Sequence, residues 1–125
     1  MHQTLAKSDA IARLRRTSPY TPSPATPIHF ANVNASKDVW WLDIPLTKVT
    51  SGRHPFLGLL LYDNRSDELH LLRVPSSFFA ENISKFAVRV EKAVISLELS
   101  AQASSLFRDF RPGGRGLHFA PFKFI

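Results

Sequence analysis

The stretch FLGLLLYDNRSDELHLLRV, residues 56–74, decides the fold class of this chain. Residues 56–62 are almost entirely apolar, as expected of a strand that is covered on both faces. Residues 63–68 are rich in turn formers, and residues 69–74 are again mostly apolar. Two strand-like runs joined by a short polar turn predict an antiparallel hairpin at the centre of a sheet.

The flanking segments predict the rest of a small sheet. The run VWWLDIPL, residues 39–46, alternates in polarity, and Pro45 favours an edge strand because proline lacks an amide donor. Residues 93–99 alternate in the same way. Between them, Pro75 and an apolar stripe that includes Phe78 and Phe79 predict one principal helix over residues 75–92. In the closing extended segment, residues 116–125, we expect Phe122 and Phe124 to pack on the sheet.

These elements predict an α+β fold: a single small domain with a mostly antiparallel sheet of about four to five strands and one principal helix packed on it. We divide the chain into a basic N-terminal segment with a weak helix (1–16), a proline-rich linker or arm (17–37) and the α+β domain (38–125). The linker assignment depends on prolines at 19, 22, 24 and 27. No internal repeat is visible.

The composition narrows the functional classes. The chain has no cysteine, which excludes disulfides, thiolate metal sites and cysteine nucleophiles. The net charge of +6 lies at the two ends, because residues 1–16 and 108–125 each carry four bases and one acid. A positive field confined to particular segments favours a polyanionic partner. No apolar run approaches the roughly 18 residues that span a bilayer, so we expect a soluble, cytoplasmic protein without a membrane partner.

The closing stretch FRDFRPGGRG, residues 107–116, carries the main candidate site. Arginine offers a planar fork that matches phosphate oxygens, and glycines let a backbone approach a partner closely. Phe107 and Phe110 can offer ring faces to unpaired bases. A second row of bases at i, i+4 and i+7 would project from one side of the predicted helix. The predicted nucleic-acid-binding residues are Arg108, Arg111, Arg115, His118, Lys85, Arg89, Lys92, Arg15 and Arg16.

No catalytic signature emerges from the chain. The glycines do not form a nucleotide-binding loop, and the five histidines are scattered without a helical i, i+4 pair. Asp63, Asp67 and Glu68 cluster in the hairpin, where they read as a polar turn or as metal-binding carboxylates. We therefore expect no cofactor and no metal, and favour a protein that is not an enzyme.

One family resemblance emerges from the predicted element order. A helix, three strands, a helix and a strand resemble the core of restriction-endonuclease-like (PD-(D/E)xK) nucleases. The run FLGLLLYDNRSDELHLLRVPSSFF, residues 56–79, is similar to the hairpin-then-proline-helix segment of some bacterial DNA-cleaving and defence proteins. That family carries Asp or Glu, any residue and Lys on the second strand, whereas this chain reads Glu68-Leu69-His70. The resemblance implies a non-catalytic, DNA-contacting relative or a detached module of such a protein.

The leading hypothesis is a small basic prokaryotic or phage nucleic-acid-binding protein, linked to restriction or phage defence, with DNA favoured over RNA. A second hypothesis is a protein–protein adaptor or inhibitor that uses the proline-rich arm together with Trp40 and Trp41, with another protein or a second copy as partner. A third is a small metal-dependent nuclease or RNase toxin that uses His54, His70 or His118 with the hairpin acids.

Overall fold

The computed structural model describes residues 3–18 and 26–124. Within these residues the fold is α+β with mostly antiparallel sheets, as predicted. The helices are α1 (Lys7–Thr17), α2 (Leu46–Thr50) and α3 (Ser76–Glu81). The strands are β1 (Ile28–Asn32), β2 (Val39–Pro45), β3 (Phe56–Asp63), β4 (Glu68–Pro75), β5 (Ala87–Arg89) and β6 (Val94–Ser100).

The strands form two sheets rather than the one that the sequence predicted. The first sheet has the order β1-β3-β4 and the second has the order β2-β6-β5, and of these pairs only β1 and β3 run parallel. The predicted hairpin is β3–β4, with Phe56 opposite Pro75 and Asp63 opposite Glu68. The two sheets enclose the main core, and the Trp40 indole joins them by donating to the Tyr62 carbonyl at 3.0 Å.

Helix α1 covers the outer face of the first sheet. Leu59 and Leu61 belong to the core between the sheets, whereas Leu60 packs on the other side with Ala10 and Leu14 of α1. Strand β3 is therefore covered on both faces, which explains its continuous apolar run. The layers follow in the order α1, first sheet, core, second sheet.

The predicted linker is partly strand, so the fold begins before residue 38. Strand β1 lies within the range 17–37 and pairs with β3 from Ile28 opposite Gly58 to Asn32 opposite Tyr62. Local pattern did not predict β1, because this strand follows prolines and its pairing partner is distant along the chain. The part of the linker at residues 19–25 lies outside the described residues.

The helix predicted over residues 75–92 is also wrong beyond its first turns. Helix α3 ends at Glu81, where the Asn82 side chain donates to the Phe78 carbonyl at 2.8 Å. A 3-10 turn, β5 and a second 3-10 turn follow. The apolar stripe is buried in a cluster of phenylalanine rings instead, with the Phe78 and Phe86 centroids 6.2 Å apart. The observed order, a helix and two strands three times over, differs from the predicted helix, three strands, helix, strand.

The C-terminal segment ends beside β4 but is not extended throughout as predicted, because Ala120–Phe122 form a 3-10 turn. The Phe124 amide donates to the Leu71 carbonyl at 2.8 Å, and Lys123 forms an isolated antiparallel β-bridge with Leu72. Phe122 packs on Phe78 with centroids 4.8 Å apart, as expected. The Phe124 side chain is 50% exposed, so its predicted packing on the sheet is wrong.

Residues 28–50 and 56–81 share a local succession of backbone features: two strands joined by a turn that ends in an aspartate with positive φ, then a proline and a short helix. The two segments differ in their pairing, because β1 and β2 lie in different sheets whereas β3 and β4 form a hairpin. The turn residues Asp38 and Asp67 have φ of 59° and 56°. The prolines Pro45 and Pro75 precede α2 and α3 with nearly equal dihedrals, φ −58° and ψ 131° against φ −59° and ψ 133°. The Arg65 guanidinium connects the two turns, because it forms ion pairs with Asp38 of the first turn at 2.6 Å and with Asp63 of the second at 2.9 Å.

Candidate nucleic-acid interface

The outer face of the second sheet carries a shallow concavity of about 350 Å³. Alternation along β2 points Trp40 into the core and leaves Trp41 46% exposed. The concavity is lined by Lys37, Trp41, Leu42, Asp43, Arg89, Ser96, Glu98 and Arg111. The two predicted cations Arg89 and Arg111 thus meet Trp41, which the sequence assigned to a rival hypothesis.

Residues 107–110 extend the second sheet, because they pair with the C-terminal half of β6. The Phe107 amide donates to the Ser100 carbonyl and the Phe110 amide to the Glu98 carbonyl, both at 2.8 Å. Phe107 has φ of 67° and is 1% exposed, so its predicted role as a base-stacking ring is wrong. Phe110 is 47% exposed, and the Arg108 guanidinium lies 5.9 Å from its ring centroid.

The arginine-glycine loop, residues 108–116, folds against the segment that leads into β5. The Arg115 amide donates to the Lys85 carbonyl at 2.8 Å. Lys85 and Arg115 then line a second concavity of about 600 Å³ with Ser84 and Leu117. Two groups of bases that the sequence proposed separately therefore share one surface.

A buried carboxylate holds the base of this loop. Asp109 is 1% exposed, and its Oδ1 accepts the amides of Glu98 and Arg111, both at 3.1 Å. Burial raises the pKa of Asp109, and its Oδ2 has no hydrogen-bond partner within the described chain. A Cβ on Gly114 would lie 3.1 Å from both Oδ2 and the Arg111 carbonyl, so a larger residue here would have to displace these atoms by a few tenths of an ångström.

The charges on this surface divide into paired and unpaired groups. Arg111 lies 3.4 Å from Glu98, and Arg89 lies 3.1 Å from Glu91. The Lys37 ammonium sits 5.3 Å from the Trp41 ring centroid. The exposed side chains of Lys85, Arg108 and Arg115 have no carboxylate partner in the part of the chain that the structure describes. These three unpaired cations are the ones that remain available to an anionic partner.

The remaining predicted residues divide between this surface and other layers. His118 forms an isolated antiparallel β-bridge with Arg108 through the backbone and is exposed, so it belongs to the surface. Lys92 lies in an exposed 3-10 turn, and its predicted helical row with Lys85 and Arg89 does not exist. Arg15 and Arg16 project from α1, on the far side of the first sheet. The bases at the two ends of the chain therefore do not converge.

The sites predicted for the two other hypotheses, the adaptor and the nuclease, are also corrected by the structure. Trp40 is fully buried, so the paired-tryptophan surface is wrong and only Trp41 is accessible. His70 packs between Trp40 and Phe107, with ring centroids 5.8 and 5.4 Å away, and burial lowers its pKa.

Two of the three hairpin acids have structural partners, and Glu68 is exposed. Asp63 accepts from Arg65 at 2.9 Å, and Asp67 accepts from Arg13 and from the Tyr62 hydroxyl, both at 2.6 Å. Over residues 3–18 and 26–124, no three or more His, Asp or Glu residues are grouped to hold a metal ion.

Some lining residues escaped sequence reasoning. Alternation along the two strands separates Trp41 and Asp43 on β2, and Ser96 and Glu98 on β6, from the core residues of each strand, but it does not show that these two faces meet. Lys37 carried no such signal, because it reaches the concavity only through a turn.

Comparisons with known proteins add no relative. No family model, no curated protein and no solved structure matches this chain. Among the described helices, none has the length and apolar character needed to cross a membrane. Functional inference therefore depends on the geometry of the site.

Proposed function

We propose that this chain binds nucleic acid through the arginine-glycine loop and the outer face of the second sheet. The main support comes from Lys85, Arg108 and Arg115, which have no carboxylate partner among the described residues. The Arg115 amide donates to the Lys85 carbonyl, and Arg108 lies 5.9 Å from the ring centroid of the exposed Phe110. Trp41 is exposed on the same sheet. Cations that are not neutralised by neighbouring acids retain their charge for phosphate oxygens.

The geometry favours binding over catalysis. Arg and Lys side chains contact phosphates, while exposed aromatic rings offer faces to unpaired bases. Arg111 is held by Glu98 and by the Asp109-anchored backbone, so it can orient the loop without supplying a free charge. DNA remains the favoured polymer, and a link to restriction or phage defence rests on the resemblance in residues 56–79.

The test compares two double variants with the same change in charge. Lys85→Glu/Arg115→Glu alters the proposed interface, and Arg15→Glu/Arg16→Glu alters α1 on the opposite layer. Fluorescence anisotropy would measure the affinity for labelled single- and double-stranded DNA and RNA over a range of salt concentrations. We expect the interface variant to lose binding and to lower the slope of log K against log salt by about two, because two phosphate contacts disappear.

The control variant should retain most of the affinity and nearly all of the salt slope. If both variants weaken binding equally, net charge rather than this surface drives the interaction. If the control variant has the larger effect, the interface lies on α1 and the proposal is wrong. Thermal unfolding of both variants would verify that the fold is intact.

A protein partner is the second candidate, favoured by the exposure of Trp41 and Phe110 on one sheet face. Exposed aromatic residues are frequent anchors of protein interfaces. Association with another protein or with a second copy would depend weakly on salt. It would also be abolished by Trp41→Ala but not by Lys85→Glu/Arg115→Glu.

A further inference from the structure

We propose a second, separate binding site that takes a phosphate group, in the concavity that follows α2. This concavity has a volume of about 460 Å³ and is lined by Thr47, Lys48, Ser51, Arg53 and His54. None of these residues belongs to the candidate nucleic-acid interface. The inference therefore does not depend on the function proposed above.

The lining is complementary to an anion. It contains an ammonium, a guanidinium, an imidazole and two hydroxyls, and no carboxylate. Elsewhere in the described chain, Arg13, Arg65, Arg89 and Arg111 are each in an ion pair. Lys48 and Arg53 have no such partner among the described residues. Two uncompensated cations that face a common space repel each other, and an anion between them would turn this repulsion into attraction.

An unmet hydrogen-bonding group points to the same place. The Nδ1 atom of His54 is buried and has no hydrogen-bond partner within the described chain. Buried polar atoms are nearly always paired, and an exception calls for an explanation such as an absent ligand. The His54 residue itself is only half-buried and lines the concavity, so a rotation of its ring on ligand binding would bring this nitrogen to a ligand oxygen.

The positive potential extends beyond the lining. His29 on β1 is half-buried, and its partial burial together with the nearby charges of Lys48 and Lys7 lowers its pKa to about 4. Lys48 alone would be an ordinary cation in the last turn of a helix, but Arg53 and His54 lie beyond α2.

A phosphate monoester is the ligand class that fits best. It carries about −1.5 to −2 charge at neutral pH and three strong acceptor oxygens, which match two cations and several donors. The volume exceeds that of a bare phosphate and falls within the roughly 300–1,000 Å³ that is usual for ligand pockets. The phosphate would thus belong to a larger compound, either a small phosphorylated molecule or the phosphorylated end of a nucleic-acid strand.

The test is an NMR titration of isotope-labelled protein with inorganic phosphate, against sodium chloride at equal ionic strength. We expect saturable shifts confined to residues 47–54. The Lys48→Gln/Arg53→Gln variant should weaken phosphate binding by about tenfold or more, because two charge-assisted contacts are lost. The Lys85→Glu/Arg115→Glu variant should bind phosphate as the wild type does, which separates this site from the interface.

Two results would overturn the proposal: the absence of saturable shifts at residues 47–54, or equal phosphate binding by the Lys48→Gln/Arg53→Gln variant. Oligonucleotides with and without a 5′-phosphate then distinguish the sources. Tighter binding of the phosphorylated strand that disappears in this variant identifies a strand end. Equal binding of both strands, with phosphate binding retained, identifies a small phosphorylated molecule.

Discussion

The pH dependence of stability offers a sharp test of the packing around β1. His29 is half-buried, its Nε2 atom is buried without a hydrogen-bond partner in the described chain, and Lys48 and Lys7 lie near it. Its pKa falls from 6.5 to about 4, first because of desolvation and then because of these two charges. The unfolded chain therefore binds a proton between these pH values while the folded chain does not. The stability that neutral His29 contributes is complete above pH 6.5 and is lost as the pH falls towards 4.

The magnitude follows from the shift. One pKa unit corresponds to about 1.4 kcal/mol, so protonation of the unfolded state should remove about 3 kcal/mol between pH 6.5 and pH 4. The variant His29→Phe keeps a ring of similar volume and cannot titrate. We expect its free energy of unfolding to fall less steeply with acid than that of the wild type, by about this amount.

Urea unfolding at stepped pH values, in buffers without phosphate, would measure the difference. Taking the difference removes contributions that both proteins share, including that of His70. An exposed residue that does not titrate provides the control, and Ser104→Ala should reproduce the wild-type dependence. If the His29→Phe and wild-type curves run parallel from pH 6.5 to pH 4, the burial of His29 is wrong.

Three further predictions concern the loop anchor and the turns, all measured by urea or thermal unfolding. Asp109→Asn should raise stability at neutral pH, because burial raises the pKa of the Asp109 carboxyl and so makes its ionised form costly. Asp109→Ala should instead lower the free energy of unfolding by about 1–3 kcal/mol, because the Glu98 and Arg111 amides lose their acceptor. An alanine variant that is more stable than the wild type would contradict the role of Asp109 as an anchor. Gly114→Ala should cost about 1–3 kcal/mol, since its Cβ would press on the Arg111 carbonyl, and an unchanged midpoint would refute the tight closure. Arg65→Met should lower the free energy of unfolding by about 1 kcal/mol, and by less at high salt. The reason is that Arg65 forms ion pairs with Asp38 at 2.6 Å and with Asp63 at 2.9 Å at a partly exposed position. A loss of stability that does not depend on salt would instead indicate that the aliphatic part of the Arg65 side chain packs on its neighbours.

Local patterns were reliable where each segment carried its own signal. The β3–β4 hairpin follows from two apolar runs and a turn, and the outward face of β2 follows from alternation. The helix after Pro75 shows the limit of such reasoning. Phe78, Phe79 and Phe86 fit a helical stripe, yet Asn82 ends the helix and the rings pack as a cluster. The spacing of these phenylalanines reflects their burial in one ring cluster, and a buried cluster does not require a helical period.

The candidate site was predictable in its residues and not in its geometry. The arginine-glycine loop is evident from its composition, but its neighbour Lys85 was placed on a helical face that does not form. They meet because the Arg115 amide donates to the Lys85 carbonyl. Arg15 and Arg16 carry the same charge signal and lie on the far layer, since charge composition contains no information about which face an element covers.

The amino-acid sequence by itself determined the α+β class, the central hairpin, the edge character of β2 and the basic, cysteine-free surface chemistry. These properties depend on the polarity and turn chemistry of neighbouring residues, which act over a few positions. Only the tertiary structure decided that β1 joins β3, that the strands divide into two sheets, and that Trp41, Arg89 and Arg111 line one concavity. Such contacts join residues distant along the chain, and the packing of whole layers selects them.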